Sequence, residues 1–121
     1  VAFVYSISGA ATVAAGAHRF YNHSGGTRTI TKVGLSAGTA PSGTTSTPIT
    51  GASLVADVNI NGTSIWSTQG NRVNIQSGQN VGTQTTFNTT TIADGSYFTV
   101  DIDFIGSTTA GSDVTVTVWW S

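Results

Sequence analysis

The chain reads as an all-β domain: an antiparallel β-sandwich of jelly-roll type with about eight or nine strands. Three observations predict it. First, Glu is absent, Lys32 is the single lysine, and the chain carries 22 Thr and 14 Ser. Helices draw on Ala, Leu, Glu, Lys, Gln and Arg, whereas Thr, Val, Ile and aromatic residues suit a pleated, half-buried surface. Second, apolar and polar residues alternate with a period of two along several segments. Third, clusters of Gly, Asn, Asp and Ser recur at short intervals, as the turns of a sandwich or barrel do. At 121 residues the length is that of one domain, so residues 1–121 form a single sandwich. Residues 1–16 are free in this reading to act as an N-terminal arm.

The elements follow in order. Ala2–Ser8 alternates and opens the first strand. Gly9–Ala17 is the one Ala-rich stretch, and Thr12, Val13 and Gly16 break it as a helix. Thr12–Asn22 is read as a second strand, ended by Ser24-Gly25-Gly26, and Thr27–Ala37 as a third. Thr39–Gly51 holds both prolines and is the longest irregular stretch, a length at which loops carry function or flexibility. Ser53–Asn59 and Thr63–Thr68 flank Asn61-Gly62, the dipeptide of a type I′ hairpin, whose two central residues need positive φ. Arg72–Gln76 and Thr83–Thr89 follow. Asp94-Gly95 is expected to do the same job as Asn61-Gly62 ahead of Ser96–Ile105. There Phe98, Val100, Ile102 and Phe104 share a core face, opposite Tyr97, Thr99, Asp101 and Asp103. In Asp113–Trp120 the alternation turns Val114, Val116, Val118 and Trp120 inward and Trp119 outward. No repeat of 20–50 residues suggests a solenoid or propeller.

Charge narrows the function. Four cations and a net charge of −1 cannot make the basic stripe that nucleic acid requires. No apolar run approaches a spanning helix, and no polybasic amphipathic segment suits a membrane surface. Cys is absent, which removes disulfides, thiolate metal sites and Cys nucleophiles. The start Val1-Ala-Phe-Val-Tyr5 lacks the positive region of a signal peptide and fits a mature chain without its initiator Met.

Each chemical motif has a structural explanation. Asp57-Val-Asn59-Ile-Asn61-Gly62 matches the opening of a Ca²⁺ loop, but Thr68 stands where a helical EF-hand places its bidentate Glu. A hairpin turn is the expectation. Asp101 and Asp103 project from one strand face and have the residue type for a hard cation or for acid–base work. They are read instead as a polar face, or as partners of Arg19 or Arg72. His18 and His23 are read as surface or interface residues, since no G-x-S-x-G elbow accompanies them and two His without Cys make a poor zinc set. Asn22, Asn61 and Asn88 begin N-x-[ST] triplets, which a chain this rich in Asn, Ser and Thr produces by chance. Catalytic residues, metals and cofactors are therefore all expected to be none. The aromatics have the residue type for a sugar-stacking platform or an interface, most of them are expected in the core, and Trp119 is the best candidate for an outward-facing one. Val1, Phe3, Tyr5, Trp119 and Trp120 are the candidate interface residues: aromatic residues anchor interfaces, and the apolar, alternating segment Val1–Ser8 is expected to pair in trans with a neighbour's sheet or the capsid.

Four segments carry a resemblance: Ala37-Gly-Thr-Ala-Pro-Ser-Gly43, Gly51–Ile65, Ile92–Asp103 and Ile105–Val118. Together they resemble a small β-sandwich module of tailed-bacteriophage virion proteins, of the head decoration or tail-fibre type. The likeness covers most of the chain after about residue 15, including Arg19-Phe-Tyr-Asn22. In that module the G-T-A-P-x-G turn runs almost directly into G-A-S-L, whereas here Thr44–Thr50 is inserted between them. The resemblance implies a non-enzymatic virion protein, most simply a head decoration (cement) protein on the capsid surface. Its implied partners are the major capsid protein and itself, as a homotrimer. The alternative is a tail-fibre module that binds a host receptor or surface glycan.

Overall fold

A computed structural model describes residues 1–44 and 48–121. Among the described residues there are ten strands: β1 Ala2–Ala10, β2 Phe20–Tyr21, β3 Arg28–Thr39, β4 Ala52–Ile60, β5 Thr63–Ser64, β6 Asn74–Gln76, β7 Val81–Gln84, β8 Thr91–Ile92, β9 Tyr97–Phe104 and β10 Ser112–Trp120. One 3₁₀ turn, Gln69–Asn71, interrupts them.

The strands form two antiparallel sheets. The first runs β1-β10-β3-β7, with β8 also on β3; the second runs β2-β9-β4-β5, with β6 also on β4. If β5 with β6, and β7 with β8, count as halves of interrupted strands, the pairing becomes simple. First pairs with last, second with second-last, and so on inward to the β4–β5 hairpin. The chain is one long antiparallel ribbon. It is wrapped so that β10 also meets β3 and β9 also meets β4. That winding is a jelly roll.

Alternation places the core between the sheets. Phe98, Val100 and Ile102 of β9 and Val114, Val116, Val118 and Trp120 of β10 are buried, as are Ile30, Val33 and Leu35 of β3 and Leu54, Ala56 and Val58 of β4. Trp66 is fully buried. Its indole N–H donates to the Thr86 carbonyl at 2.8 Å, so this donor is not stranded in the core. Phe104 leaves this core and packs on a second cluster of Ile49, Ala52 and Val55.

The hairpin at Asn61-Gly62 is as expected, with φ of 49° and 87°. Asp94-Gly95 is different. The Ser96 N–H bonds the Ala93 carbonyl at 3.0 Å, and of the two central residues only Gly95 has positive φ, at 79°. This turn carries the chain from β8 in one sheet to β9 in the other, so it is a crossing between sheets and not a hairpin.

Four expected strands are shorter than read by two or more residues at one end, Arg72–Gln76 beginning only at Asn74. Within Thr12–Asn22, Ala14 bridges Ile102 and β2 pairs Phe98 and Tyr97, with the chain bulged between. Gly16 lies so close to β9 that a Cβ there would run into the Val100 carbonyl. Thr63–Thr68 ends at Ser64, because Trp66 turns into the core. Thr83–Thr89 ends at Gln84, whose side-chain oxygen accepts from the Thr85 and Thr86 N–H groups and draws them out of the ladder. The two-residue β8 was not anticipated. Residues 45–47 of the Thr44–Thr50 insertion lie outside the described residues.

The segment 1–16 is folded into the sandwich. β1 pairs with β10 from Ala2–Trp119 to Ala10–Ser112, and Phe3, Tyr5 and Ile7 pack against the core.

Candidate functional site

The carboxylates hold the fold together. Asp57 and Asp101 face each other across β4 and β9. The Ser64 hydroxyl donates to Asp57 at 2.6 Å. Asp101 accepts from the Gly16 N–H at 2.7 Å and from the Asn59 amide at 2.8 Å. Asp103 sits at a break in the β4–β9 register and pairs with Arg72 at 2.7 Å. Asp94 accepts from the Gly25 N–H and Asp113 from the Gly9 N–H. Burial pushes the Asp57 carboxyl above its ordinary value, against the Ser64 hydrogen bond, and Asp103 adds to the rise. Among the described residues no three His, Cys, Asp or Glu side chains stand where they could hold a metal ion.

The histidines join aromatic contacts. The His18 ring lies 6.0 Å from Tyr5, and His23 stacks on Tyr21 at 5.6 Å. Asn22, first of the N-x-[ST] triplets, is fully buried. Its amide N–H groups donate to the Gly26 and Ile92 carbonyls at 2.8 and 2.9 Å. Its oxygen accepts from the Ser24 N–H and hydroxyl. This residue ties the β2–β3 turn to β8.

The five candidate interface residues separate into two groups. Val1, Phe3, Tyr5 and Trp120 gather on one side, with Phe3 and Trp120 edge to face at 4.4 Å. Trp119 is on the opposite face of β10, over Gly34 of β3.

The first group belongs to an edge whose first 17 residues carry no charged side chain, with Arg19 beside β2 and Arg28 in the adjoining cleft as the nearby cations. β1 is the outer strand of one sheet and β2 of the other, and Phe20 closes the space between them, at 6.2 Å from Phe3 and 6.3 Å from Tyr5. No charged side chain occurs in residues 1–17. Among the described residues the exposed large apolar side chains are Val1 (80%), Val4 (58%), Val13 (62%), Tyr21 (38%) and Val81 (65%), so four of these five fall within the first 21 residues. Among the described residues, no backbone group of 2–8 bonds to any segment other than β10. A nine-residue edge strand without Lys, Pro or charge is unusual, because soluble proteins normally block such edges. At one end of the edge opens a cleft of about 490 Å³, lined by Val1, Phe3, Tyr21, His23, Arg28 and Trp120.

Val13, Tyr21 and Arg28 were not singled out from the sequence. The signal available for Val13 was the charge-free run before His18. Comparison with protein-family models, with curated proteins and with solved structures finds no match to this chain.

Proposed function

We propose that this chain is a non-enzymatic structural protein of a tailed-phage virion, a head decoration (cement) protein, and that it docks on the major capsid protein through the β1–β2 edge. The observation that carries the reading is that edge. It combines unpaired main-chain groups with Val1, Val4, Val13 and Tyr21 and has no charged side chain in its first 17 residues. A partner strand can add to such an edge by main-chain hydrogen bonds, with the side chains supplying apolar contact. Repeated over many copies, modest contacts sum to a large resistance to internal pressure. The sequence resemblance to virion sandwich modules points the same way. The Asp side chains are engaged in holding turns and strands, which leaves them poorly placed for acid–base work. A homotrimer is the assembly this reading expects, since closed cyclic contacts bury exposed surface.

The test is reconstitution. Purified protein is mixed with phage heads stripped of or lacking it, and bound protein is measured after sedimentation. Saturable binding, lost in Val4→Lys and Val13→Lys variants that melt normally, supports the reading. Heads that bind both variants as well as the parent would overturn the assigned edge, and heads that bind no form would overturn the function.

A further inference from the structure

We infer that the outer face of the first sheet, around Trp119, carries a binding site for a saccharide. It lies on the sheet face next to β1, where Ala2 pairs with Trp119 and Val4 with Thr117, and the inference stands whether the protein sits on a head or on a tail fibre.

The site is a shallow trough of about 250 Å³, running over β10, β3 and β7. Pairing of Thr117 with Gly34, and of Gly34 with Thr83, places these three residues in one row across the sheet. Thr115, Ser36 and Val81 form the next row. Gly34 is what lets the indole in: a Cβ there would stand 3.0 Å from the Trp119 six-membered ring. The ring therefore rests on the sheet over Gly34 and remains partly exposed. Lys32, paired with Trp119 across the strands, holds its ammonium 5.0 Å from the ring centroid.

The chemistry of this lining selects the ligand. A pyranose offers C–H groups on its faces and hydroxyls on its rim. The trough offers an aromatic surface, the hydroxyls of Ser36, Thr83 and Thr117, and one ammonium donor, with the Thr115 hydroxyl already bonded to Ser6 at 3.2 Å. No carboxylate lines it, so acidic sugars meet no repulsion. Of the three tryptophans, Trp66 and Trp120 are buried, and only Trp119 can report directly on a ligand in this trough.

The experiment uses the full chain. It is applied to a printed array of oligosaccharides built from hexoses, N-acetylhexosamines and uronic acids. The best soluble binder is then titrated while tryptophan fluorescence is followed. The expected result is saturable binding with a change in emission. Trp119→Ala should weaken it at least tenfold, Trp119→Phe less, and Thr117→Val measurably, all with circular dichroism unchanged. Three results would overturn the inference: no oligosaccharide bound on the array, binding that survives both Trp119→Ala and Thr117→Val, or Trp119→Ala acting only on self-association.

Discussion

Val1 and Trp120 exchange two main-chain hydrogen bonds: the Val1 nitrogen to the Trp120 carbonyl at 3.2 Å, and the Trp120 N–H to the Val1 carbonyl at 3.0 Å. Phe3 then packs on the Trp120 ring, on Phe98 and on Phe20. The first strand is thereby part of the core while its far side stays unpaired. Phe3→Ala should cost about 2–3 kcal/mol in urea unfolding, below the value for a fully buried Phe because Phe3 is half-buried. Removing residues 1–8 should leave no cooperative transition at all.

Asn22 satisfies two carbonyls and a turn from a fully buried position. Asn22→Ala strands the Gly26 and Ile92 carbonyls, and a loss of about 2–4 kcal/mol is expected. Asn22→Asp should fare no better, since a carboxylate cannot donate to those carbonyls. Chemical denaturation of both variants checks this.

Much of the fold was legible because alternation is local. Phe98, Val100 and Ile102 against Asp101 and Asp103 need only strand geometry to sort them onto two faces. Asn61-Gly62 was legible because its dihedral demand is intrinsic to the dipeptide. Asp94-Gly95 was not, because whether a turn closes a hairpin or crosses between sheets depends on where the next strand finds its partner. The break at Gln84 depends on a side chain outcompeting the ladder for two N–H groups. Asn22 was invisible for a related reason, since its four hydrogen bonds join segments up to 70 residues apart. Of the candidate site, the separation of Trp119 from Trp120 followed from alternation. That Val1, Phe3 and Trp120 share a cleft required knowing that the first and last strands pair.

Gly82 sits where the two sheets approach at β6 and β7, and a Cβ there would run into the Asn74 carbonyl. Gly82→Ala should destabilise by about 1–3 kcal/mol, the usual range for overpacking. Gly78→Ala, where a Cβ meets open space but φ is 80°, should show only the smaller cost of backbone strain. Thermal melts of the two variants separate packing from conformation.

Asp57 gives a pH dependence of definite sign. Its carboxyl is raised by burial from the ordinary value of 3.8, so the folded state holds the proton more tightly than the unfolded chain. The stability from this group is full below 3.8 and is lost as pH rises through the raised value. Asp57→Asn keeps an acceptor for the Ser64 hydroxyl and removes the buried charge. The variant should match the parent in acid and melt above it at pH 7. A melt series from pH 3 to pH 7 reads the divergence directly.

Because residues 1–17 of the β1–β2 edge carry no charged side chain and Arg19 is engaged with Tyr21 and the Tyr97 ring, its association should depend only weakly on salt. Binding to undecorated heads should change less than about threefold between about 50 mM and 500 mM salt, roughly half a decade of ionic strength on each side of physiological. Sedimentation across that range measures it.

The central claim is that the open side of β1 is the docking face, and amide hydrogen exchange tests it most directly. Exchange of peptides covering residues 2–8 is compared between the free protein and the protein bound to phage heads. The account predicts that amides outside the β10 ladder exchange readily in the free protein and become strongly protected on the head, with little change at β5 and β6. Unchanged exchange in residues 2–8, with protection appearing elsewhere, would contradict it.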